Sequence, residues 1–191
     1  MESSGNTETF IPLDNLDVNY IDIHDPLSSY PIRVPVASIS YTNSLYTIPR
    51  LSIFTKLVNV VAWDSEKFRL DLSDAENFGP LQEFQECIIK KISENPEWSN
   101  CSKISVDEVR TRFQPIISKG LLSLYINSNN SDKINIYNNK TSRKGVSDNL
   151  FYQGQQLRIA LRFQGIFFMK NSQGKLFYRL QHQIISIFMN L

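Results

Sequence analysis

LRIALRFQGIFF, residues 157–168, decides how the C-terminal third of this 191-residue chain is read. Leu157, Ile159, Leu161 and Phe163 occupy every second position, with Arg158, Ala160, Arg162 and Gln164 between them. That alternation predicts a strand with one apolar face and one face carrying guanidinium groups. Such a face is either simply solvated or built to meet something anionic. Gly165 then interrupts the alternation, as at a bulge or a barrel corner. KNSQG (170–174) reads as a hairpin turn, with Gly174 available for a positive φ. In the last strand, counting by two from Lys175 gives Phe177, Arg179, Gln181 and Gln183; Leu176, Tyr178 and Leu180 form the core-like side. Paired across the turn, the two strands place Arg158, Arg162, Lys175 and Arg179 on one side, with Phe177 among them. IFFM (166–169) and IISIFM (184–189) are apolar on both sides, which implies cover from the helix or from a second copy of the chain.

Working toward the N-terminus, LLSLYI (121–126) reads as a strand, NSNNSD as a turn, KINIY as a returning strand and NNKTSRKGVSDN (138–149) as a long polar loop. SVDE (105–108) has the form of a capping box opening a short helix. GPLQEFQECIIKKI (79–92) places Leu81, Phe84, Ile88 and Ile92 at helical spacing, with Pro80 suited to the first turn. KFRLDL alternates as a half-buried strand, and the stretches from Ile32 to Trp63 are β-rich but broken by Pro35 and Pro49. Six to nine strands and one good helix are expected. The fold class is mainly β (α+β): a barrel or sandwich with one inserted amphipathic helix and a short second helix. Residues 1–31 are read as an acidic, partly disordered segment and 32–191 as a single domain.

The net charge of +1 hides an asymmetry. Residues 1–32 carry six acids (Glu2, Glu8, Asp14, Asp17, Asp22, Asp25) and no Lys or Arg; residues 133–191 carry nine bases against Asp148 alone, a balance of +8. Such a distribution flags a polyanionic partner, unless the two ends neutralise each other in the fold. No apolar run approaches the ~20 residues that cross a bilayer, so no membrane partner is expected. The polar start lacks a secretory or transit pattern, and Cys87 and Cys101 form no CxxC pair, which suits a reducing, intracellular compartment. His24 and His182 make no metal site by themselves, and phosphate-loop, nucleophile-elbow and dinucleotide glycine motifs are missing. The expectation is a non-enzyme without cofactor.

Cations and an outward ring on a sheet suit a single-stranded nucleic acid: bases on the sheet match phosphates, and nucleobases stack on rings at ~1–3 kcal/mol each. TIPRLSIFTKLVNVVAWDSEKFRLDLS (47–73), FGPLQEFQECIIKKI (78–92) and the closing GQQLRIALRFQGIFF…GKLFYRLQHQIISIFMNL (154–191) resemble, in order of elements, the single-stranded DNA-binding proteins of phages and large DNA viruses. The resemblance spans roughly residues 45–93 and 112–190. It implies an OB-like β-barrel that coats single-stranded DNA, without sequence preference, in viral DNA replication or recombination. It places Arg158, Arg162, Phe177 and Arg179 in the groove, flanked by Arg143, Lys144 and Tyr152, with Lys67 and Arg69 as weaker candidates. It also implies single-stranded DNA, further copies of the chain and replication proteins as partners, at a viral replication site or in the host nucleus. Many such proteins end in an acidic tail that recruits partners; the last residues here, IFMNL, hold no acids, and acids cluster in residues 1–32 instead, so recruitment through such a tail is not expected. The alternative is a virion or structural β-sandwich working through subunit contacts.

Overall fold

A computed structural model of the chain describes residues 9–29, 32–64, 67–71, 75–126, 133–138, 141–146 and 150–189. The elements in chain order are β1 (Ile11–Pro12), β2 (Ile21–Ile23), β3 (Leu27–Ser29), β4 (Ile32–Ala37), β5 (Ile39–Thr42), β6 (Thr47–Ile48), β7 (Ser52–Phe54), β8 (Val58–Trp63) and β9 (Lys67–Asp71). Helices α1 (Ala75–Glu94) and α2 (Val106–Arg112) follow, then β10 (Phe113–Gln114), β11 (Ile117–Ser118), β12 (Leu121–Tyr125), β13 (Asn135–Asn138), β14 (Thr141–Lys144), β15 (Gln156–Lys170) and β16 (Leu176–Met189). The protein is mainly β, with two α-helices among the described residues.

The main sheet runs β11-β12-β9-β8-β15-β16-β13-β14, and this path does not close on itself. β8, β9 and β12 are antiparallel neighbours, and β15 returns to lie beside β8, the order of a Greek key. β7 and β4 pair with β15 further along, and a small second sheet is made by β2, β5 and β6. The main sheet also curls toward itself at one seam. β10 pairs with β16 while β11 pairs with β12, so residues 113–118 span from one to the other. Across the same seam the Tyr125 backbone N–H donates to His182 Nε2 at 3.0 Å.

α1 lies against the inner face. Its Leu81, Phe84, Ile88 and Ile92 are fully buried, and the Phe84 ring is 4.8 Å from that of Phe163. Burying each such side chain stabilises the fold by ~1.5–3 kcal/mol. The helix starts earlier than the sequence suggests, and Pro80 is its sixth residue rather than part of the first turn. The missing N–H there costs a single helical bond close to the N-terminus, which the buried stripe outweighs. The capping box of α2 is formed: Ser105 Oγ accepts from the Glu108 N–H at 3.2 Å, and the Ser105 N–H donates to Glu108 Oε2 at 3.0 Å. Arg110 ties the helices together through Glu86 at 2.8 Å.

Three expectations give way. Among the described residues sixteen strands replace the six to nine, because the proline-broken stretches before β7 form two- to six-residue pieces, of which β2, β5 and β6 make a small sheet of their own. β13 does not return along β12; it crosses to run parallel with β16, where Ile136 packs at the register of Ile187. The polar stretch 138–149 is not all loop, since Thr141–Lys144 forms β14 on β13. Residues 9–29 belong to the folded body: Ile11, Leu13 and Leu16 lie in the core, β1 pairs with β7, and β3 pairs with β4. Glu2, Glu8, the turn 127–132 and Asp148 lie outside the described residues.

Candidate nucleic-acid interface

The β15–β16 register fixes which side chains share the outer face. Arg158 stands opposite Phe188, Arg162 opposite Gln183, Phe167 opposite Arg179 and Met169 opposite Phe177. Directly paired residues project to the same side, so Arg158, Arg162, Phe177 and Arg179 do share a face, each half-buried. Lys175 precedes β16 and is exposed in the turn, whose geometry Asn171 sets by accepting from the Gln173 and Lys175 N–H groups. The pairing slips by one residue between Ala160 and Leu161 and again between Phe163 and Gly165. Gly165 has φ +134°, and a Cβ there would stand 2.6 Å from the Ala37 carbonyl oxygen. Only glycine fits that bulge.

The cations gather in two places on this face rather than in one row. Near the turn end of the hairpin, Arg179 Cζ lies 5.2 Å from the centroid of the Tyr125 ring, and Lys67 Nζ lies 4.8 Å from it. Tyr125 comes from β12 and Lys67 from the facing position of β9; the curl of the sheet brings them to Arg179. Tyr125 is 46% exposed. At the other end, Arg158 Cζ lies 5.9 Å from the Phe54 ring. Phe54 packs edge-on against Phe188 at 5.1 Å, and Phe188 stacks on Tyr137 at 4.8 Å and 14°. The Arg158 Nε is buried without a hydrogen-bond partner. The doubly apolar stretch 184–189 is thus covered within the chain by β7 and β13.

The flanking candidates divide by register. Lys144 pairs with Asn135, which pairs with Ser186, putting it on the face of Arg158; Arg143 pairs with Ile136 and lies on the opposite face. Tyr152 is exposed in the loop before β15, its N–H donating to Gln155 Oε1 at 3.2 Å. Arg69 is exposed on β9 opposite Ser123. Three of the head's described acids have partners elsewhere. Asp14 pairs with Lys56 at 3.2 Å, Asp17 accepts from Asn19, and Asp25 accepts from Trp98 Nε1 at 3.0 Å. Among the described residues, no ion pair joins Asp14, Asp17, Asp22 or Asp25 to a base of residues 133–191.

Two clefts flank Tyr125 and His182. One is bounded by Gln164, Gln181, Gln183 and Ile134; the other, of about 440 Å³, by Phe113, Gln114, Ile116, Arg179 and Leu180. His182 is buried, and burial, with Arg179 nearby, pushes its pKa down to about 4. The imidazole is therefore neutral at pH 7 and can accept the Tyr125 N–H. Tyr125 and its cleft are what the sequence reading missed. Tyr125 is the outward tyrosine of LLSLYI, and nothing local ties it to Lys67, Arg179 or His182, each more than fifty residues away.

Among the described residues, no group of three or more His, Cys, Asp or Glu side chains is placed to hold a metal ion, and no helix is long and apolar enough to cross a membrane. Cys87 and Cys101 are free thiols, and burial pushes the Cys87 thiol pKa up. No protein-family model matches this chain, and no curated protein matches it.

Proposed function

We propose that this protein binds single-stranded DNA along the outer face of the β15–β16 hairpin, without sequence preference, in viral DNA replication or recombination. The observation that carries the reading is the half-exposed Tyr125 ring with Lys67 and Arg179 over it, beside a cleft, on the same face as Arg158 and Arg162. A ring offers stacking surface to any base, and the cations match the phosphates on either side of it. An arginine beside a ring serves both purposes, because its planar head can also stack. The Greek-key order of β8, β9, β12 and β15, with β16 returning toward β12, supports an OB-like, partly open barrel whose unpaired seam carries the site.

Titration of a labelled oligo(dT) at two salt concentrations tests this. Binding weakens with salt, with a slope of log K against log salt of roughly −2 to −3 if three or four cations each neutralise one phosphate. Arg158→Ala combined with Arg162→Ala weakens binding and leaves the melting temperature nearly unchanged. Absence of binding at low salt, or binding indifferent to salt, overturns the proposal.

A structural protein working through subunit contacts is the second reading. The exposed Leu27, at 72%, and Leu45, at 85%, favour it, the latter beside Tyr46. Sedimentation that shows large assemblies indifferent to oligonucleotides selects it.

A further inference from the structure

We infer that the cleft of about 440 Å³ between β10 and Tyr125 receives one unstacked nucleobase of the bound strand. This rests on the reading above and adds a location, a stoichiometry and a positioning residue to it. The volume falls within the roughly 300–1,000 Å³ that small-molecule pockets occupy. The cleft's composition is mixed. Phe113, Ile116 and Leu180 give apolar wall, and all three are buried. Gln114, which stands opposite Arg179 in the β10–β16 pairing, brings an amide able to donate and accept along a base edge. The Tyr125 ring supplies π surface, and Lys67 and Arg179 supply the charge that a neighbouring phosphate needs. A heteroaromatic ring carrying a phosphate matches apolar wall, amide, ring and cation together, whereas an inorganic anion or an aliphatic ligand would use only part of the set.

His182 acts as the positioning residue. It borders the cleft, and its buried Nε2 accepts the Tyr125 backbone N–H and so holds the end of β12 at the seam. With Nε2 accepting, the ring proton sits on the buried Nδ1. Among the described residues the sheet has no ladder between β12 and β16, so this bond and the 113–118 crossing set where the Tyr125 ring stands relative to β16.

The test is an oligo(dT) carrying a single 2-aminopurine, read by fluorescence at low salt with the full chain. Stacking in the cleft quenches the probe at a ratio of one stacked base per protein. Tyr125→Ala abolishes the quench and weakens binding roughly five- to 150-fold, the range of one lost base stack; Tyr125→Phe retains both. Should the alanine chain fail to fold, Arg179→Gln replaces it, with the quench reduced and binding weakened. His182→Ala diminishes the quench at saturating protein, a signature that a loss of stability alone would not produce in the folded fraction. Oligo(dT) binding with no quench, and equal affinity for Tyr125→Ala, overturns the inference while leaving single-strand binding intact. Free dTMP that binds as tightly as the oligonucleotide overturns it as well, because the cleft would then be a mononucleotide site. If the wild-type chain binds no oligonucleotide at all, the underlying reading fails and takes this with it.

Discussion

At the turn end of the closing hairpin, Arg179 lies over Tyr125, a ring nearly half exposed with a cleft beside it; at the far end, Arg158 lies over Phe54, whose ring packs against Phe188, itself stacked on Tyr137. Nine residues of β16, about 30 Å of extended strand, separate Arg179 from Phe188. Both ends use an arginine and aromatic rings. The difference lies in what occupies the ring faces. In the Phe54–Phe188–Tyr137 stack, rings touch rings and tie β7, β16 and β13 together, and Tyr137, although 39% exposed, has one face covered by Phe188. Around Tyr125 the ring meets cations and an open cleft, so it is left to meet a ligand. An arginine on a sheet face therefore says little until its ring neighbours are known. On this account the far end supplies charge and stability, and the near end supplies stacking.

Four changes would break or sharpen that contrast. Gly165 lies at the bulge that separates the two ends. Gly165→Ala forces a side chain into a left-handed φ and against the Ala37 carbonyl, and destabilises the protein by at least about 3 kcal/mol in urea unfolding. Lowering the pH acts at the near end. The folded-state pKa of His182 is depressed to about 4 from 6.5, so its contribution is complete above pH 6.5 and is lost as pH falls toward 4. The unfolded chain binds the proton first, and the loss totals about 3 kcal/mol. Unfolding curves between pH 7 and pH 4 check this, and His182→Gln, which keeps an acceptor but cannot titrate, flattens the dependence. Phe188→Ala removes the middle ring of the far stack and costs about 2 kcal/mol, while oligonucleotide affinity of the folded protein changes less than about threefold. Tyr125→Ala should show the reverse pattern. Arg158→Met is the mildest: its Nε makes no hydrogen bond, so stability stays within about 0.5 kcal/mol, and the salt slope of binding falls by about 0.7.

Local chemistry made much of this molecule legible. The two-residue period of 157–163 gave β15 and its polar face, Gly165 marked the bulge, and Ser105 with Glu108 announced α2. The missing parts depend on partners distant in sequence. Thr141–Lys144 has no apolar residue, so it carries no period; it is a strand because β13 offers it an edge. KINIY looks like a return strand, yet whether it follows β12 or crosses to β16 is decided by which apolar face Ile136 meets. The head reads as an acidic, partly disordered segment, because four buried residues, Ile11, Leu13, Leu16 and Ile23, are spread among aspartates and prolines. The site divides in the same way. Arg158, Arg162, Phe177 and Arg179 follow from alternation alone, whereas Tyr125, Lys67 and His182 meet them only through the curl of the sheet.

Hydrogen exchange of the protein with and without saturating oligo(dT) tests the central claim most directly, because it shows where the strand lies. Added protection is expected in 113–126 and 176–189, centred on Tyr125, with the β2–β5–β6 sheet unchanged. Protection confined to residues 9–48, or none at concentrations where binding is saturated, would contradict it.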